Sequence, residues 1–186
     1  FKIGISGLIG GMGLGLAMIT FIWSITNTTA AITLLCLSAM PFMTALLGFL
    51  FLKEKISTSV WMAILVASIG VAIMGFESLS EGSMLGLLFG MLSALGFSIF
   101  SVSLRWKKET PKFTTVAIAG LVCCLFSTVF ILQKDLSFLS SSKNEGLFAL
   151  HGTLVCLGLI LYSAGSKSIP AAELTLLSLT EVIGGI

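Results

Sequence analysis

The sequence predicts an all-α fold, a polytopic bundle of transmembrane helices, and three observations carry that prediction. Hydrophobic residues fill 56% of the 186 positions and charged residues only 10%, with a mean hydropathy of +1.13. A soluble domain needs roughly a quarter of its residues charged to cover its surface. The 10 Lys plus Arg and 8 Asp plus Glu that are present fall in clusters. Between the clusters run apolar stretches close to the roughly 20 residues that a helix needs to cross a bilayer. These stretches are apolar on every side, whereas spanning barrel strands would alternate polar and apolar residues.

Seven apolar segments follow in order: 3–25, 30–52, 60–76, 84–104, 114–132, 146–166 and 171–186. The connectors between them carry nearly all the charge. The first, 26–29, is uncharged; 53–59 holds Lys53, Glu54 and Lys55; 77–83 is purely acidic. The connector 105–113 holds Arg105, Lys107, Lys108, Glu109 and Lys112, the Ser-rich 133–145 is mixed, and 167–170 holds Lys167.

Short cytoplasmic loops carry an excess of Lys and Arg. If Lys2 is cytoplasmic, alternation of seven spans puts eight basic residues on that side, against Lys134 and Lys143 on the other. Connectors 53–59, 105–113 and 167–170 are then cytoplasmic. A miscounted span would scramble this partition, so segmentation and topology support each other.

Several function classes are disfavoured. No basic patch interleaved with aromatics points to nucleic acid. Cys36, Cys123, Cys124 and Cys156 sit inside apolar runs and at no metal-ligand spacing, so they read as small hydrophobes. No spacing offers a nucleophile with its base, so no enzyme and no cofactor is expected. Close backbone approach does much of the work of helix packing in lipid. Gly7, Gly11 and Gly15 form one ridge, and Gly82, Gly86, Gly90, Ala94 and Ser98 another. They fit a tight monomeric bundle or a homodimer face equally.

Shifting the chain by 141 positions lays Thr29-Ala30-Ala31 on Pro170-Ala171-Ala172, Leu35 on Leu176, Phe21 on Tyr162, Ile19 on Ile160 and Gly11 on Gly152. The first two spans thereby correspond to the sixth and seventh. An offset of five reverses the direction of crossing, which makes an inverted-topology repeat of the kind found in many secondary transporters.

The stretch NTTAAITLLCLSAMPFMTALLGFLFLKEKIS at 27–57 resembles the end-of-repeat signature of EamA-type carriers of the drug/metabolite transporter superfamily. Small residues enter a helix, Pro41 lies within it, and Glu54 follows an aliphatic run ahead of a Ser. IGVAIMG at 69–75 resembles the next helix of that family, and PAAELTLLSLTEV at 170–182 the matching signature of the second repeat. There the usual Leu-Glu-Pro triplet reads Thr180-Glu181-Val182, without the proline. The resemblance implies a ten-helix fold of two inverted five-helix repeats, with this chain running from the third helix into the ninth. Residues 1–76 would end the first repeat, 77–83 form an external acidic loop, and 84–186 make up the second repeat, truncated at its C-terminus.

Glu181 is the most informative candidate residue. Ten residues from the start of its helix at 1.5 Å each place it roughly 15 Å deep, near the bilayer midplane. A carboxylate there costs about 2.5–3.5 kcal/mol on insertion scales, so it should face a cavity or a partner. Substrate amine recognition and proton coupling are its functional readings, and a helix-locking hydrogen bond its structural one. Glu173 reads as interfacial, pairing with Lys167. His151, near the outer end of its span, is a proton relay or gate, or a satisfied structural residue. Trp23 and Asn27, at the outer end of the first span, belong to an interfacial aromatic belt or line the substrate path. Pro41 breaks a helical ladder in mid-membrane and frees a carbonyl. Glu54 reads as a local ion pair with its flanking lysines, and Tyr162, Thr33 and Ser178 as candidates for a polar path.

The leading functional expectation is a secondary carrier exporting a small polar metabolite by alternating access in the lipid bilayer. The resemblance implies amino acids or related metabolites, and a bacterial cytoplasmic membrane. A nucleotide-sugar or sugar-phosphate exchanger would need Lys or Arg inside a span to hold phosphate, and none falls there. A non-transporting scaffold or accessory subunit is the alternative from a different class.

Overall fold

A computed structural model describes residues 4–54, 57–59, 61–62, 64–66, 69, 84–106, 112–134, 142–166 and 168–184; side chains at 112, 142–143 and 179–184 lie outside that description. The expected span 60–76 is described only in part and the acidic connector 77–83 not at all. The remaining elements are helices: α1 (Ile5–Asn27), α2 (Ala30–Leu37), α3 (Met40–Leu47) running into a π-helical turn (Gly48–Leu52), α4 (Met84–Trp106), α5 (Lys112–Gln133), α6 (Ser142–Gly165) and α7 (Ala171–Gly184). Five stretches are long and apolar enough to cross a membrane: Ile5–Asn27, Ala30–Leu52, Met84–Trp106, Phe113–Gln133 and Asn144–Gly165. The chain is an integral membrane protein built as a polytopic helical bundle.

Which face of α1 turns inward is marked by side-chain size, because large apolar side chains occupy the rest of its circumference. Its buried positions include Ser6, Gly10, Gly13, Ala17, Thr20 and Ser24, spaced alternately four and three apart, so they form one seam along the helix. That seam packs against α4, which buries Gly86, Gly90, Ser93, Ala94 and Gly96 in return. At the closest point a Cβ on Gly96 would stand 2.6 Å from the Gly13 carbonyl, and one on Gly13 would stand 2.9 Å from the Gly96 carbonyl. Only glycine allows this backbone approach.

The ridge of Gly11 and Gly15 is used within the chain as well. A Cβ on either would collide with α5, on Ile118 or Val122. Gly86 and Gly90 close in the same way on Thr28 and Cys36. The described ridge glycines thus pack the bundle itself, and a dimer face would have to use other surface.

The span 30–52 is a broken helix. Thr29 caps α2, its hydroxyl accepting from the Ile32 N–H at 3.2 Å. The helix stops at Leu37, and residues 38–39 form a turn before α3 begins with Pro41 in its first turn. Proline has no N–H to offer the Leu37 carbonyl, and its ring crowds that position. The break therefore falls one turn before the proline, and Ser38 Oγ turns back to donate to the Leu35 carbonyl at 2.5 Å. At its far end the π turn closes with Lys53 in the left-handed region, φ 55°.

Around α4 the other helices are arranged as walls. α1 covers one side and in turn carries α5, α2 and α3 cover another, and α7 packs on α3 through Ala45 and Ala172. α6 is held at one end only: Leu159 and Tyr162 pack on the core of Leu14, Phe100, Leu104 and Ala119. Every described α6 side chain from Asn144 to Leu154 is exposed.

Candidate functional site

The polar interior follows α4, whose serines lie in an otherwise apolar span. Near its start, Ser24 Oγ donates to the Gly86 carbonyl at 2.8 Å and lies 2.8 Å from Thr33 Oγ1. About two turns further on, Ser93 donates to the Ala17 carbonyl at 2.9 Å. Ser98 donates to the Ala94 carbonyl at 2.8 Å and reaches the Met40 carbonyl, beside Pro41, at 3.2 Å. Ser101 Oγ lies 2.9 Å from Tyr162 Oη. Each of these hydroxyls is buried and satisfied, as polar groups in a low-dielectric interior must be.

Two further hydroxyls beside this column are not. Thr44 Oγ1, one turn beyond Met40 on α3, and Ser163 Oγ, next to Tyr162 on α6, have no hydrogen-bond partner among the described residues. Both residues are fully buried.

Arg105 closes the column. Its Nε donates to Glu54 Oε1 at 2.7 Å, and Nη1 reaches the Ser166 carbonyl at 3.3 Å and the Ile169 carbonyl. Glu54, expected to pair with its flanking lysines, is thus held by Arg105, which belongs to α4 and not to the connector; Lys55 lies outside the described residues. Arg105 lies in the last turn of α4, and a guanidinium presents several donors in a fixed fork that can serve a carboxylate and carbonyls together. The Arg105–Glu54 side chains are about three-quarters buried, at 25% and 23% exposure.

The predicted site residues are only partly brought together. Pro41 and Tyr162 flank the Ser98–Ser101 turn of α4 from different helices. Tyr162 is half-buried between Phe97, edge-on at 5.1 Å, and Phe100, stacked at 6.0 Å. Trp23 lies elsewhere, half-buried against Phe89 at 5.1 Å and Phe126 at 5.5 Å, so its rings pack within the bundle. Asn27 is exposed, its amide donating to the Trp23 carbonyl at 2.8 Å. His151 is exposed on α6, beside an apolar cleft of about 370 Å³ that Met18, Ala117, Gly120, Cys156 and Leu159 also line. Glu181 lies on α7, with its side chain outside the described residues. Glu173 is exposed and its expected partner Lys167 is undescribed. Thr33 belongs to the Ser24 pair, and Ser178 donates to the Thr175 carbonyl of its own helix.

Ser98, Ser101 and Arg105 escaped the reading of the sequence. The signal was present as Ser93, Ser98, Ser101 and Ser103 inside one apolar run, but serine is as common in tight helix packing as in a polar path.

Residues 2–76 match the EamA-like transporter family. The likeness to that family is carried by this stretch. It contains α1, the broken α2–α3 span and the Glu54 that Arg105 holds. Across a larger part of the chain, an uncharacterized transporter of Helicobacter pylori (strain J99) is 25% identical over 92% of the chain and 60% of its own length. The uncharacterized transporter YwfM of Bacillus subtilis is 22% identical over 87% of the chain and 56% of its own length. A second Helicobacter pylori strain has an uncharacterized transporter 25% identical over the same shares as the first. The chain therefore spans somewhat over half the length of these relatives. No solved structure matches it.

Proposed function

We propose that the complete protein is a secondary transporter that exports a small polar metabolite, such as an amino acid, across a bacterial cytoplasmic membrane by alternating access. The observation that carries this reading is the EamA match joined to a column of buried hydroxyls along α4. The proposed halves are residues 1–76 and 84–186, related as inverted repeats, with α1 and the α2–α3 span corresponding to α6 and α7. Glu181, Pro41 and Tyr162 are the proposed path residues, with Trp23, Asn27 and His151 nearer its margins.

Glu181 supplies the test. In the full-length protein reconstituted in vesicles, Glu181→Gln keeps the shape and most hydrogen bonding but removes the ionisable proton. Losing a charge-assisted contact worth about 1.5–3 kcal/mol lowers initial transport of labelled amino acids by roughly tenfold or more, with membrane abundance unchanged. Normal transport by the Gln variant at every pH makes Glu181 structural. Absence of transport by the parent protein across the panel favours a scaffold.

A further inference from the structure

We propose that Arg105, Glu54 and the carbonyls of Ser166 and Ile169 form a latch, which closes one mouth of the bundle and must open in each transport cycle. The inference rests on the transporter reading above and on its division into halves.

The latch joins three segments that also pack on one another, α3 with its π turn, α4 and the start of α7. Glu54 follows the π turn at the end of α3, Arg105 ends α4, and Ser166 and Ile169 lie in the link from α6 to α7. Glu54 belongs to the first proposed half and the other three residues to the second. It is the one ion pair between described residues, so the pair spans the boundary across which two rocking halves would move.

The shape of the bundle gives a second, independent observation. Near the latch, α6 is packed: Tyr162 contacts Phe97 and Phe100, and Ser163 and Ser166 are buried. At its other end, α6 is exposed throughout from Asn144 to Leu154. Helix α6 is thus packed at the Arg105 end and exposed at the opposite end, while α4 is packed along its whole length. A tie across the packed end fixes that asymmetry.

Chemistry fits a reversible tie better than a permanent rivet. About a quarter of each charged side chain is exposed, so water can replace the partners as they separate, which a fully dry ion pair would not permit cheaply. The Ser166 and Ile169 carbonyls beside the end of α6 accept from Arg105, so parting the halves also frees acceptors that water can serve.

Thr44 and Ser163 provide the reporters. Both hydroxyls are buried without described partners, so replacing either with Cys breaks no observed side-chain hydrogen bond. The full-length protein, otherwise free of cysteine, carries Thr44→Cys or Ser163→Cys and is labelled in vesicles with a small methanethiosulfonate added from each side in turn. Glu54→Gln keeps shape and removes one charge; Arg105→Gln removes the other. The expected result is labelling at least about tenfold faster from the side bearing Lys53 in both variants, and unchanged or slower from the other side. Equal rates, within twofold of the parent, in the correctly inserted Glu54→Gln protein overturn the latch. Glu54→Gln alone decides the matter if Arg105→Gln fails to insert. The labelling needs no substrate, so loss of the transport reading and loss of the latch are separate outcomes.

Discussion

Tyr162 and Ser101 show what a single pair contributes inside this bundle. Tyrosine in an apolar interior must place its hydroxyl on a partner, and Ser101 is the partner that α4 supplies. Hydrogen bonds between membrane helices are worth about 0.6 kcal/mol on average, because the unfolded state in lipid also finds partners. Tyr162→Phe is therefore expected to cost well under 2 kcal/mol, leaving the ring stack on Phe97 and Phe100 intact. A double-mutant cycle with Ser101→Ala, read by unfolding in detergent, should return a coupling of about 0.6 kcal/mol. A coupling near zero would mean that the two hydroxyls do not interact. Glu54 makes a further point about single residues. Its partner lies 51 positions away, and adjacent lysines were the only partners that sequence order could offer.

Helix α4 is the element on which α1, α2 and α3 are assembled, and glycine decides how closely α1 approaches. Gly96 meets the Gly13 backbone, so an added methyl group has no flexible side chain to push aside. Gly96→Ala should destabilise the full-length protein by about 1–3 kcal/mol, the usual cost of overpacking. Gly158→Ala serves as the control, since a Cβ there meets nothing within 4 Å and alanine is the better helix former. Unfolding midpoints in detergent should rank Gly96→Ala below the parent and Gly158→Ala at or above it; the reverse order would rule out the close crossing of α1 and α4. The α2–α3 break belongs to the same scale. Pro41 was readable as a break, whereas its position at 38–39 and the carbonyl of Met40 offered to Ser98 follow from how the two half-helices pack.

At the scale of the whole molecule, topology and asymmetry come together. Lys53 and Lys134 are both exposed at the ends of their spans, and the charge partition puts them on opposite sides of the bilayer. In full-length protein without other cysteines, Lys134→Cys should react with an impermeant maleimide outside intact cells. Lys53→Cys should react only after permeabilisation. The opposite pattern would invert the topology and, with it, the side that the latch closes.

The sequence by itself determined that the chain is a helical membrane protein, where most of its spans lie, and which family its first 76 residues resemble. Those features depend on composition, run length and local motifs, and each is a property of consecutive residues. Hydropathy also explains why it could determine no more. With α1, α4 and α5 bearing apolar side chains on every side, no stripe of hydrophobic residues marks the inward face, and lipid accepts either side. Only the tertiary structure decided that the small-residue seam of α1 meets α4, that the serines of α4 line up with Met40 and Tyr162, and that Arg105 reaches Glu54. Such pairings are set by backbone approach and by the need of buried polar groups for partners, and both are settled between helices far apart in the chain.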